Sequence, residues 1–135
     1  DYAVDIFHQA IKTGKYNSFL SKNTKLPMMY MADAIRATIK LMTAPSDQIK
    51  IRSSYNLAGL SLTPENIGKE ISKHIPNFEM SYNIDFRQEI ADSWPNSIND
   101  EHATNDWEWK LKYNLKKMTK EIITNLTKQY NIPVA

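Results

Sequence analysis

The spacing of apolar side chains divides the chain into alternating helical and extended stretches. Residues 2–13 place Ala3, Ile6, Phe7 and Ala10 at helical spacing, with Val4 and Ile11 beside them, and Gly14 follows where a helix would stop. Residues 16–20 and 26–31 are short apolar runs around the polar turn 21–25, either strands or extended segments along a cleft. Residues 31–45 predict a second helix. Asp33 near its start suits the helix dipole, Ala34, Ile35, Thr38, Ile39 and Met42 make one face, and Pro45 ends it.

Residues 49–57 read as a strand, with Ile49, Ile51, Tyr55 and Leu57 as its apolar positions. Thr63-Pro64-Glu65 is a helix start: a capping hydroxyl, Pro at the first helical position, then an acid. Ile67, Ile71 and Ile75 follow at four-residue spacing, and Pro76 closes the element. Residues 78–84 alternate Phe78, Met80, Tyr82 and Ile84, a half-buried strand. After a polar stretch over 85–100, Asn99 or Asp100 caps a short helix. Asn114 caps a last one that buries Leu115, Met118, Ile122 and Leu126. Residues 1–128 are therefore expected to form one region and 129–135 a loose tail. Strands separated by helices give an α/β class, with short mixed strands and about five helices.

Composition narrows the function. The chain has 135 residues, 41% hydrophobic and 24% charged, which suits one soluble globular domain. Its 17 basic and 15 acidic residues leave a diffuse net charge of +2, too weak to call for nucleic acid. No apolar run approaches the roughly 20 residues of a membrane span, so no membrane partner is expected. With no Cys, thiolate metal sites and Cys nucleophiles are excluded. The only glycines, Gly14, Gly59 and Gly68, make no phosphate-binding turn. His8, His74 and His102 are far apart and predict no metal site. The chain opens directly on helical sequence, which is expected of a piece of a longer protein.

Two stretches stand out chemically. Trp94-Pro95 cannot lie inside a helix, so Trp94 is expected on a stiff polar loop, where binding groups are often carried. Arg87 on the same connector can pair with Glu89 or Asp92, or meet an anion. The segment 25–30, Lys-Leu-Pro-Met-Met-Tyr, reads as a buried strand feeding a helix or as the wall of a site.

The stretches DYAVDIFHQAIKTGKY, LPMMYMADAIRATIKLMTAP, IRSSYNLAGLSLTPENIGKEISKHIP and RQEIADSWPNSINDEHATNDWEWK resemble the C-terminal half of the NAD-dependent L-threonine 3-dehydrogenase family. That family lies within the extended short-chain dehydrogenases/reductases, related to UDP-galactose 4-epimerase. The pattern Tyr30, Asp33, Ala34, Arg36, Ala37 is shared more widely across that superfamily.

The resemblance implies the substrate-binding part of an enzyme that oxidises the 3-hydroxyl of L-threonine to 2-amino-3-oxobutyrate. An N-terminal Rossmann half would hold NAD, the Gly-rich turn and the Tyr-x-x-x-Lys base pair. That half is expected to be missing here, with no catalytic or cofactor-binding residue left in this chain. The implied substrate-binding residues are Trp94 and Ser93 on the lid, with Leu26, Pro27 and Met28 as the facing wall. Asp1 and Tyr2 would continue a turn whose threonine is absent. Arg87 matches a phosphate-contacting position of sugar-nucleotide enzymes, and an internal ion pair is expected instead. L-threonine and the Rossmann half are the implied partners, a homodimer an open assembly, and the compartment cytoplasmic or, in a eukaryote, mitochondrial.

Two departures from the family pattern concern structure. Ala32 replaces one of a pair of acids. Glu108 stands where the family has Gly, and would be strained if that position needs positive φ. The alternatives are a fragment of a UDP-sugar epimerase or dehydratase, and a standalone binding module.

Overall fold

The computed structural model describes residues 1–131. Its first helix, α1 (Tyr2–Thr13), begins where the Asp1 carboxylate accepts the Ala3 N–H at 3.0 Å. It ends at Gly14, whose φ of 69° is adopted at least cost by a residue without Cβ. Ile6, Phe7 and Ala10 are buried as their spacing predicts, and Tyr2 joins them.

The chain continues as β1 (Lys15–Ser18), β2 (Leu26–Met28), α2 (Met31–Thr43), β3 (Leu60–Leu62), α3 (Pro64–Ser72) and β4 (Glu79–Tyr82). Three helices follow: α4 (Arg87–Asp92), α5 (Glu101–Trp107) and α6 (Leu115–Gln129). The strands form two small ladders. β1 runs parallel to β4, with Lys15 opposite Glu79, and β2 pairs antiparallel with β3, with Leu26 opposite Leu62. The α/β class holds, with six helices among the described residues rather than about five; α4 is the addition.

Helices α1, α3 and α6 pack on one another, and α1 also packs on β1. Their shared core contains Ile6, Phe7, Tyr16, Leu62, Ile67, Ile71 and Met118. The capping box at Thr63 sets the start of α3: Thr63 Oγ1 accepts the Asn66 N–H at 3.1 Å, and Asn66 Oδ1 accepts the Thr63 N–H at 3.2 Å. Gly68 lets α3 approach β4, since a Cβ there would lie 2.0 Å from Met80 Sδ.

A second cluster joins Ala37, Ala103, Trp107 and Trp109, with Tyr55 and Leu57 packed on its edge. It explains two departures from the predicted pattern. Residues 49–57 are not a strand. Tyr55 stands edge-on to Trp107 at 5.8 Å and donates its hydroxyl to Asp106 at 2.7 Å, so the segment is fixed by side chains rather than by a ladder. Helix α2 buries Asp33 and Ala37 against this side, while Ile35, Ile39 and Met42 of its expected apolar face are exposed.

Asp33 does more than favour a helix start. Fully buried, it accepts from Arg36 Nη2 at 2.6 Å and from the N–H groups of Lys112 and Tyr113 at 3.1 and 2.9 Å. Tyr30 and Tyr113 both donate to Glu121, at 3.2 and 2.8 Å. The Tyr30/Asp33/Arg36 pattern is therefore a clamp that holds α2 to the segment before α6.

Helix α6 reaches Gln129, and the Tyr130 hydroxyl beyond it lies 2.6 Å from His8 Nδ1. Of the expected tail, Gln129 ends α6, Tyr130 makes this contact and Asn131 is exposed; 132–135 lie outside the described residues. No helix among the described residues is long and apolar enough to cross a membrane.

Candidate functional site

The loop expected over 85–100 contains α4, and this short helix decides where Trp94 goes. Its Gln88 docks on the turn 21–24: Oε1 accepts the Ser21 N–H at 2.8 Å, Nε2 lies 2.9 Å from Thr24 Oγ1, and Nε2 donates to Asp92 at 2.7 Å. Ala91 is buried beneath the helix, and the Trp94 N–H donates to its carbonyl at 3.1 Å. Trp94 leaves the end of α4 at this point, 57% exposed, with Pro95 stiffening the chain beyond.

Across from it, β2 presents Leu26, Pro27 and Met28. Together with Trp94, Phe19, Ile90 and Tyr2 they line a hollow of about 340 Å³. Four residues singled out in the sequence, Trp94, Leu26, Pro27 and Met28, thus meet in one place although Trp94 lies far along the chain from the others. Ser93 does not join them. Its Oγ donates back to the Ile90 carbonyl at 2.6 Å.

The hollow is mostly apolar, with two charged residues on its lining, Asp1 and Arg87. Arg87 pairs with neither Glu89 nor Asp92. It is held by Asp85, with Nε 3.0 and 3.1 Å from the two carboxylate oxygens and Nη2 at 2.5 Å. Its guanidinium lies 3.4 Å from the centre of the Phe19 ring. Hydrogen bonding to Arg87 holds the Asp85 carboxyl below its ordinary range. Burial pushes the Tyr2 phenol well above its ordinary value and that of Tyr16 up to about 12, so both stay protonated at neutral pH.

A second, larger hollow of about 460 Å³ lies behind β2, between α1, α6 and the start of α2. Its lining is again mainly apolar, with Val4, Phe7, Met31, Met118 and Ile122. Asp1, Gln88 and this second hollow were not legible as site features: Asp1 caps α1 locally, while its place at the hollow and the Gln88 contacts with 21–24 are set by tertiary packing.

His8, His74 and His102 lie apart, and among the described residues no three His, Asp or Glu side chains converge as a metal site. The residues present do not fit a dinucleotide either. Gly14 caps α1, a Cβ on Gly59 would lie 2.2 Å from the Met28 carbonyl oxygen, and Gly68 is spent against Met80. None opens a helix after a strand, as a pyrophosphate cradle requires.

The chain does contain one Tyr-x-x-x-Lys spacing, contrary to the expectation of none: Tyr113 to Lys117. Its geometry is not that of a base pair. Lys117 Nζ sits 4.3 Å over the ring face, and the phenol donates to Glu121, which raises its pKa instead of lowering it.

No family model matches the chain. A GalE-like L-threonine dehydrogenase from Cupriavidus necator superposes with a TM-score of 0.89 at 52% identity, over 93% of this chain and 45% of that one. An L-threonine dehydrogenase from Phytophthora infestans gives 0.91 at 44% identity, over 95% of this chain and 41% of that one. The mitochondrial L-threonine 3-dehydrogenase of Bos taurus is 44% identical over 87% of the chain and 32% of its own length.

This chain is a homologue of the GalE-like L-threonine dehydrogenases.

It spans less than half the length of these relatives. A Staphylococcus haemolyticus relative described only as an uncharacterized epimerase/dehydratase is 48% identical over 88% of the chain and 38% of its own length. A Helicobacter pylori ADP-L-glycero-D-manno-heptose-6-epimerase shares the fold, with a TM-score of 0.72 at 17% identity. The superfamily relation is therefore to L-threonine dehydrogenases and to epimerase/dehydratase proteins together.

Proposed function

We propose that this chain is the substrate-side part of an NAD-dependent L-threonine 3-dehydrogenase. The observation that carries this is the meeting of Trp94 with Leu26, Pro27 and Met28 in one apolar hollow of about 340 Å³. A small amino acid with a methyl group suits such a space better than a nucleotide sugar does. In the longer enzyme a Rossmann half would hold NAD, which would supply the hydride acceptor for oxidation of the 3-hydroxyl. The residues of this chain do the rest of the enclosure. Trp94 covers the substrate and excludes water, β2 forms the opposite wall, and Gln88 holds the helix that carries Trp94. Alone, the chain is predicted to be inactive.

The same half covers the apolar stripe Met31, Ile35, Ile39 and Met42, exposed on α2, and the second hollow beside it. An apolar surface of that extent on a chain shorter than its relatives is what a missing partner segment would leave. The compartment in this account is cytoplasmic in a bacterium and mitochondrial in a eukaryote, the latter in line with the bovine relative.

The test is Trp94→Ala in the longer enzyme. The expected outcome is a loss of about tenfold or more in kcat/KM for L-threonine with NAD affinity unchanged. Unaltered threonine kinetics would remove Trp94 from the site. The epimerase alternative asks for a free cation to meet pyrophosphate, and the one basic side chain among the described residues lining the hollow, Arg87, is already paired.

A further inference from the structure

Among the described residues lining the hollow under Trp94, Arg87 carries the only cationic side chain, and it is not free. Asp85 occupies its Nε and Nη2 donors, the edge with which a guanidinium grips a phosphate or carboxylate in two-point fashion. The same carboxylate accepts the Arg87 backbone N–H at 2.9 Å. Phe19 covers one face of the guanidinium. The pair is open to solvent, with side chains 46% and 36% exposed, and an ion pair so exposed contributes little to stability. Its consequence lies in what the hollow can bind. With Asp85 paired to it, the guanidinium has neither an uncompensated charge nor its two-point edge to offer an anionic ligand.

We propose that Asp85 is a specificity-determining residue that neutralises Arg87, so that the hollow admits a ligand without net charge and rejects phosphorylated ones. This rests on the threonine-dehydrogenase role proposed above, since a zwitterionic amino acid is such a ligand. Asp85 acts through Arg87 and need not touch the substrate.

The experiment uses this chain with inorganic pyrophosphate as the probe, titrated by calorimetry and by the indole NMR signal of Trp94. Asp85→Asn keeps an oxygen for the Arg87 backbone N–H while removing the charge. It should bind pyrophosphate about tenfold or more tighter than the unaltered chain. Adding Arg87→Gln should abolish that gain. Circular dichroism confirms folding, and Asp85→Ser, which also keeps a short acceptor, replaces Asp85→Asn should the latter not fold. Equal binding by the unaltered chain and the Asp85 variants overturns the proposal. So does a gain that survives Arg87→Gln, which would put the anion elsewhere. Threonine oxidation by the longer enzyme is read separately. Its absence would overturn the proposed function whatever pyrophosphate does, while a negative pyrophosphate result with threonine oxidation intact overturns only the role of Asp85.

Discussion

Glu108 holds φ 56° and ψ 43° at the C-terminal cap of α5, a left-handed conformation that glycine adopts at lower cost. Its N–H donates to the Thr104 carbonyl, and its own carbonyl accepts from Lys40 Nζ at 2.7 Å, so the backbone is fixed there regardless of the side chain. Glu108→Gly should therefore stabilise the chain by about 1 kcal/mol, read as a raised thermal midpoint; an unchanged or lowered midpoint would refute the strain. Asp33 is the opposite case, a buried carboxylate with every near partner satisfied. Burial alone would raise its pKa, but the Arg36 guanidinium and the two backbone N–H groups outweigh it and the pKa is lowered. A folded-state pKa below the ordinary carboxylate value gives stability present above that value and lost as pH falls through the lowered one. Asp33→Ala should cost about 3 kcal/mol at neutral pH and flatten the acid limb of the stability profile, checked by denaturant unfolding across pH. A variant with the same acid limb would exclude Asp33 as its source.

At the scale of elements, what was legible in the sequence depended on how local the signal is. Helix α3 announces itself through Thr63, Pro64 and Asn66, and α1 through its apolar spacing and Gly14, because caps and stops act within a turn of chain. Helix α4 is invisible to that approach. It is six residues long, its Ile90 is half exposed, and its anchor, Gln88, gains meaning only from the turn 21–24 far away in sequence. The stretch 49–57 has strand-like spacing yet no ladder, because its aromatic and apolar side chains are taken by Trp107 and its neighbours. For the site, Trp94 and β2 could be named from the sequence through family resemblance, whereas Gln88 and the Asp85–Arg87 pairing needed the fold. Gln88→Ala should leave the Ser21 N–H without its acceptor and destabilise the chain by about 1–3 kcal/mol, with faster hydrogen exchange at the Ser21 amide. Unchanged exchange there would mean that α4 is held by Ala91 and its apolar contacts alone.

At the scale of the whole molecule, the core is closed on the side of α1, α3 and α6 and open on the side of α2. Met31 is 67% exposed and Met42 79%, with Ile35 and Ile39 between them on one stripe. With this stripe exposed, the chain should self-associate as concentration rises in sedimentation experiments, and Ile35→Lys with Ile39→Lys should keep it monomeric and folded. Persistent association of that double variant would move the sticky surface elsewhere. The account as a whole turns on one transplant. Residues 1–128 of this chain would replace the homologous segment of the Cupriavidus necator L-threonine dehydrogenase, 52% identical over the matched region. L-threonine and NAD would then be supplied and NADH followed. NADH production that depends on threonine and falls about tenfold or more with Trp94→Ala is the predicted result. A chimera that folds and binds NAD but leaves threonine unoxidised would contradict it.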